Sequence, residues 1–245
     1  MKIVEVKDYK QMSHIAAEYI IRKVSENPSI NLGLATGGTP IGMYKNLIQD
    51  HHLNGTSYQK VTTFNLDEYI GLSGTNENSY RYYMNENLFN HIDVQKGKTF
   101  IPHGDVQDFE AECRRYEELI ETNGGIDLQI LGIGNNGHIG FNEPGTSFNS
   151  KTHLVDLKSS TIEANARFFN RIEEVPTQAV TMGISSIMKS KEIILLISGE
   201  AKKEALHQLL CSEATESFPA SVLRNHPCVT IIADEAAVSG AKLYC

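Results

Sequence analysis

EIILLIS, Glu192 to Ser198, and VTIIAD, Val229 to Asp234, are apolar on consecutive residues rather than on every second one. A strand with one wet face alternates; a strand covered by helices on both faces does not have to. Similar runs recur at NLGLAT (31–36), KVTTFNL (60–66), KTFIP (98–102), IDLQILGIG (126–134), THLVDL (152–157), AVTMG (179–183) and CVTIIAD (228–234). Between them lie segments whose apolar residues keep helical spacing. In one, Val106, Phe109, Cys113, Tyr116 and Leu119 or Ile120 fall three or four apart, which predicts a helix with one buried face. The alternation predicts an α/β fold: an open, doubly wound, mostly parallel sheet with helices on both faces, Rossmann-like in class. At 245 residues the chain fits one domain spanning 1–245.

Charge excludes some partners. With 22 basic and 30 acidic residues the net charge is −8, which repels nucleic acid and anionic membranes unless cations cluster. The densest basic pair, Arg114-Arg115, is flanked by Glu112, Glu117 and Glu118, a pattern that predicts a solvated helix face with opposite-charge pairs. Neither nucleic acid nor membrane is expected as a partner. The four cysteines, Cys113, Cys211, Cys228 and Cys245, form no CxxC pair and read as reduced thiols in the cytoplasm. The longest aliphatic run, starting at Ile193, is too short to cross a bilayer. The histidines lack the spacing of a ligand set, so no metal and no cofactor is expected.

Three stretches carry chemistry. In LGLATGGTPIGMYKNLI (32–48) a buried strand ends in Thr36-Gly37-Gly38-Thr39-Pro40 and a helix begins. Thr39 is expected as its N-cap and Pro40 in its first turn, so backbone amides would point out of the strand end. That arrangement either binds an anion such as phosphate or is only a tight turn. In VTTFNLDEY (61–69) Asp67 and Glu68 interrupt an apolar strand where open α/β sheets place their ligands. Adjacent residues on an extended chain face opposite ways, so one carboxylate is expected in the cleft. Desolvation there raises its pKa towards that of a useful base, unless both carboxylates serve as caps of the following turn.

The third stretch, LGIGNNGHIGFNEPG (131–145), contains a GxGxxG match. A dinucleotide site needs a helix right after those glycines, and Pro144 with two further glycines breaks any such helix. What remains is a glycine loop carrying His138, with Glu143 five residues on to orient the imidazole or share its proton. A satisfied loop histidine is the plainer alternative. The polar segment between Pro144 and Ala164 reads as a long loop over one end of the sheet, a place where lids occur.

Taken together, LGLATGGTP, NLDEY, LGIGNNGHIGFNEPGTSF, ANARFF and Gly199-Glu-Ala-Lys202 closely resemble the glucosamine-6-phosphate deaminase (isomerase) family from end to end. The resemblance implies a hydrolase of amino-sugar metabolism that converts glucosamine 6-phosphate to fructose 6-phosphate and ammonia. It implies that Thr36, Gly37, Gly38, Thr39, Arg167 and Lys202 hold the phosphate, and that His138, assisted by Glu143, opens the ring. Asp67 would move the proton from carbon 2 to carbon 1 through an enolamine.

Asn136 stands where some members carry an aspartate, which leaves Glu143 as the chief electrostatic support of His138. His153 and Val155 stand where allosteric members place basic residues, so activation by N-acetylglucosamine 6-phosphate is expected to be weak or absent. The family includes both hexamers and smaller assemblies, so a homo-oligomer is possible. The sugar-phosphate lactonases share the fold and a glycine loop with a histidine; such a hydrolase, or a catalytically silent sugar-phosphate sensor, is the alternative.

Overall fold

The computed structural model describes residues 1–158, 161–163, 166, 169 and 171–239. Seven strands, β1 (Lys2–Val6), β2 (Asn31–Leu34), β3 (Thr62–Asn65), β5 (Thr99–Phe100), β6 (Leu128–Leu131), β9 (Glu192–Ile197) and β10 (Val229–Asp234), form one sheet. Their order is β1-β10-β9-β6-β2-β3-β5 and every pairing is parallel. The consecutive apolar residues of β9 explain themselves: Ile193, Leu195 and Ile197 enter one core cluster, while Ile194 and Leu196 enter the other.

Helices α1 (Tyr9–Glu26), α2 (Ile41–Asn54) and α3 (Tyr80–Asn87) cover one face through Met12, Ile20, Met43, Tyr44 and Met84. On the other face lie α4 (Phe109–Thr122), α5 (Ile184–Met188), α6 (Lys203–Cys211) and α7 (Glu235–Val238), contributing Tyr116, Ile187, Leu206 and Ala237. The doubly wound, mostly parallel reading holds.

The chain steps outward from β2 to β3 and β5, then returns to the other side of β2 for β6, β9 and β10. The boundary between β2 and β6 is therefore the switch point of the sheet, where diverging loops leave a crevice at the carboxyl ends of the strands. Thr36 to Thr39 follow β2, and the His138 loop follows β6.

Several expectations need correction. THLVDL and AVTMG do not join the parallel sheet. They supply β7 (His153–Asp156) and β8 (Gln178–Thr181), which with β4 (Asp67–Tyr69) make a second, antiparallel sheet in the order β4-β8-β7. The segment after Pro144 is thus not loop throughout. Helix α2 starts at Ile41 with Pro40 in the cap position and no side-chain cap, so Thr39 does not cap it.

Helix α4 forms as expected, with Asp108 capping it and Cys113 and Tyr116 buried; Val106 precedes it. Arg115 grips Glu112 at 2.5 and 2.6 Å. Glu117, by contrast, accepts from Thr152 N, Thr152 Oγ1 and Ser186 Oγ rather than facing water. Cys113 and Cys228 are free thiols, in line with the expectation for those two. Among the described residues no helix is long and apolar enough to cross a membrane.

Candidate active site

Leaving β3, the chain crosses from the main sheet into the small one, and Asp67 is the first residue of β4, paired with Thr181 of β8. The alternation of an extended chain then separates its two carboxylates, as expected. Glu68 turns to the start of α3 and accepts from Tyr80 N and Arg81 N at 2.9 Å each, and from Tyr69 N at 2.9 Å. Asp67 turns the other way. Burial, reinforced by the Glu68 charge, pushes its pKa up from 3.8 to about 8. Burial also raises Glu68, to about 7, against the three backbone N–H groups that favour its charged form.

The His138 loop reaches the same place. A β-carbon at Gly140 would lie 3.4 Å from Asp67 Oδ2 and 3.0 Å from Thr181 Oγ1, and Gly140 has φ +57°. Thr181 Oγ1 also receives Phe141 N at 3.1 Å, while the Asn142 amide donates to Ile139 O and Met182 O at 2.8 Å each. The loop is thereby pinned to the strands that carry Asp67. Gly134 serves the ring instead: a β-carbon there would stand 2.2 Å from the His138 side chain, so the glycine makes room for the imidazole.

His138 and Glu143 do not share a direct hydrogen bond. Nδ1 and Oε1 are 3.9 Å apart, beyond hydrogen-bonding range. Asn136 bridges them: its Oδ1 lies 2.7 Å from His138 Nδ1, and its Nδ2 donates to Glu143 Oε2 at 2.8 Å. A carboxylate only accepts, so the amide nitrogen must face Glu143 and the amide oxygen must face the ring. The ring therefore carries its proton on Nδ1 and leaves Nε2 as the acceptor.

Thr161 Oγ1 donates a short hydrogen bond to Glu143 Oε1 and completes the chain of contacts. Burial lowers the His138 pKa, opposed by Glu143 and helped by Lys202 and Lys158, so the imidazole is neutral near pH 7.

The turn after β2 lies beside this centre. Thr36 is within hydrogen-bonding reach of the Tyr80 phenol, and Tyr80 is close enough to Asp67 for the carboxylate to raise its pKa, a rise that comes mainly from burial. Lys202 ends a 3₁₀ turn (Glu200–Lys202) after β9, shaped by Asp234, which accepts from Ser198 Oγ and from Gly199 N at 3.0 Å. Thr36 thus lies near Asp67 by way of Tyr80, and Lys202 is near enough to His138 for its charge to help lower the imidazole pKa; Arg167 lies outside the described residues. Sequence reading missed Thr161, Thr181 and Tyr80. A threonine ending a strand before Met182-Gly183 was the one visible signal, and it was weak. Among the described residues no three His, Cys, Asp or Glu side chains gather to hold a metal ion.

Residues 7–231 match the family described as glucosamine-6-phosphate isomerases/6-phosphogluconolactonase. The chain belongs to that family. Its relatives include the glucosamine-6-phosphate deaminase of Halalkalibacterium halodurans, 60% identical over 97% of both chains. Another is glucosamine-6-phosphate deaminase 1 of Bacillus subtilis, 52% identical over 98% of this chain and 99% of its own. Among solved structures, a monomeric glucosamine-6-phosphate deaminase superposes with a TM-score of 0.96 at 52% identity, covering 98% of this chain and 99% of that one. The 6-phosphogluconolactonase of Thermotoga maritima superposes at 0.75 with 21% identity, covering 96% and 99%, a likeness of fold alone.

Proposed function

We propose that the crevice at the β2–β6 switch point binds glucosamine 6-phosphate and that Asp67 and His138 both act on it. The chain is a glucosamine-6-phosphate deaminase, which releases fructose 6-phosphate and ammonia. The observation that supports the residue roles is the meeting at Gly140 of the His138 loop and the Asp67 carboxylate. The phosphate is held by the amides of the Thr36–Thr39 turn with Lys202, and with Arg167 as the family resemblance implies.

His138 takes the anomeric hydroxyl proton on Nε2 and returns it to the ring oxygen, opening the pyranose. Asn136 and Glu143 keep the imidazole in the tautomer this needs. Asp67 then removes the proton from carbon 2, and its raised pKa makes it a stronger base than an ordinary carboxylate. The cationic amine of the bound sugar favours the ionised form at that moment. The proton moves to carbon 1, and the resulting ketimine is hydrolysed by water.

A lactonase needs no base for carbon 2, so a buried aspartate against the histidine loop favours the deaminase over that alternative. Two separate proton carriers likewise disfavour a silent sensor. The 52% identical structure is of a monomeric enzyme, so a monomer suits this protein better than an obligate oligomer. A coupled assay for ammonia and fructose 6-phosphate tests the reading: both products in equal amount support it. Binding of the sugar phosphate without turnover, or hydrolysis of 6-phosphogluconolactone instead, would overturn it.

A further inference from the structure

The carbonyl oxygens of the turn after β2 are held by three phenols from three helices. Tyr44 of α2 donates to Ala35 O at 2.5 Å, Tyr83 of α3 to Gly37 O at 2.6 Å and Tyr9 of α1 to Gly38 O at 3.2 Å. In a trans peptide the C=O and the following N–H point in opposite directions. Anchoring these three oxygens therefore aims the N–H groups of Thr36, Gly38 and Thr39 away from the phenols. Among the described residues, none accepts a hydrogen bond from those three N–H groups. Tyr9 does more: its oxygen accepts Gly42 N at 2.9 Å, serving the first turn of α2 in place of a side-chain cap at Pro40.

Tyr83 links the turn to the catalytic strand as well. Its helix begins on the Glu68 carboxylate, and Glu68 adjoins Asp67. We infer that Tyr83 and Tyr9 are positioning residues for the substrate phosphate, each fixing a carbonyl so that the next amide is presented to the anion. This rests on the phosphate reading above. A phenol that only stabilises the fold would lower thermal stability and leave affinity alone; a positioning phenol acts on affinity.

The test uses Tyr83→Phe and Tyr9→Phe, with Tyr19→Phe as control, since Tyr19 bonds Glu192 at the opposite end of the sheet. For each variant, kcat and KM for glucosamine 6-phosphate are measured, with binding of inorganic phosphate by calorimetry and the melting temperature. Each of the two variants should raise KM and the phosphate Kd by roughly three- to tenfold, the equivalent of one ordinary hydrogen bond, with kcat within about twofold. Tyr19→Phe should leave both affinities unmoved. A fall in melting temperature with KM and Kd unchanged, or a fall in kcat alone, would overturn the inference. If the native chain released no ammonia, the activity would be refuted while the phosphate Kd values still decided the role of the tyrosines.

Discussion

The Asn136 Oδ1 atom lies 2.7 Å from His138 Nδ1, and this one contact sets which nitrogen of the imidazole is free for chemistry. Asn136→Asp replaces a neutral acceptor with an anion, and an anion favours the imidazolium. The His138 titration followed by NMR should move upward by about one unit or more. An unchanged or lower value would show that the amide is not the group that governs the ring. His138→Gln should lower kcat by roughly 10²–10⁴-fold, the usual worth of a general acid–base group.

Burial and the neighbouring Glu68 charge raise Asp67 to about 8, so kcat/KM should rise with pH along an acid limb centred near that value. Glu68→Gln removes the charge next door and should move the limb to lower pH. It also takes an acceptor from the start of α3, at a cost of about 1–3 kcal/mol in a denaturant melt. The same raised pKa has a sign for stability: the folded chain favours protonated Asp67. That contribution is full below the ordinary value of 3.8 and is lost as pH climbs through about 8. A limb that stays in place in Glu68→Gln would show that the Glu68 charge does not tune Asp67.

Gly140 has φ +57° and is wedged against Thr181 and Asp67. Alanine there combines a left-handed backbone with a methyl group 3.0 Å from Thr181 Oγ1, so the loop must shift and carry His138 with it. We expect a loss of about 1–2 kcal/mol in stability and a larger proportional loss in kcat than in substrate affinity. Equal effects on kcat and KM would mean that the loop position is not coupled to the chemistry.

Val155 packs its side chain against the cluster of Tyr69, Phe141, Leu157 and Ala179 and offers no charge to a phosphate. His153 has its Nδ1 on Lys151 O at 2.8 Å. Adding N-acetylglucosamine 6-phosphate should leave the substrate saturation curve where it was. A clear leftward shift would refute this.

Much of the fold was legible because buried strands leave unbroken apolar runs. β6, β9 and β10 each write to two cores at once, as Ile193 and Ile194 do. β4 was not legible, because its three residues, Asp67 to Tyr69, are selected for the site and read as a strand end. The second sheet was missed for a related reason. β7 is half exposed in alternation, His153 and Val155 half-buried, Leu154 and Asp156 exposed, a period of two that signals an antiparallel strand with one wet face.

At the site, alternation alone foretold that Asp67 and Glu68 face opposite ways; which of them serves as the base came from the family resemblance. The bridge through Asn136 did not. Loop residues five apart have no fixed geometry until the turn at Gly137 and Gly140 is known. The three phenols behind the turn after β2 come from separate helices far apart in the chain, beyond the reach of any local pattern, though Tyr9, Tyr44 and Tyr83 are plain in the sequence.

The central claim is that Asp67 and His138 serve one hexose, with Asp67 as the base for carbon 2. The most direct measurement follows glucosamine 6-phosphate deuterated at carbon 2 through the native chain and through Asp67→Asn, recording ammonia release and the fate of the label. We predict a rate that depends on the isotope in the native chain, and substrate binding with ammonia release reduced by about 10²-fold or more in Asp67→Asn. Turnover by Asp67→Asn within about tenfold of the native rate, still cleaving the carbon 2 bond, would contradict that claim.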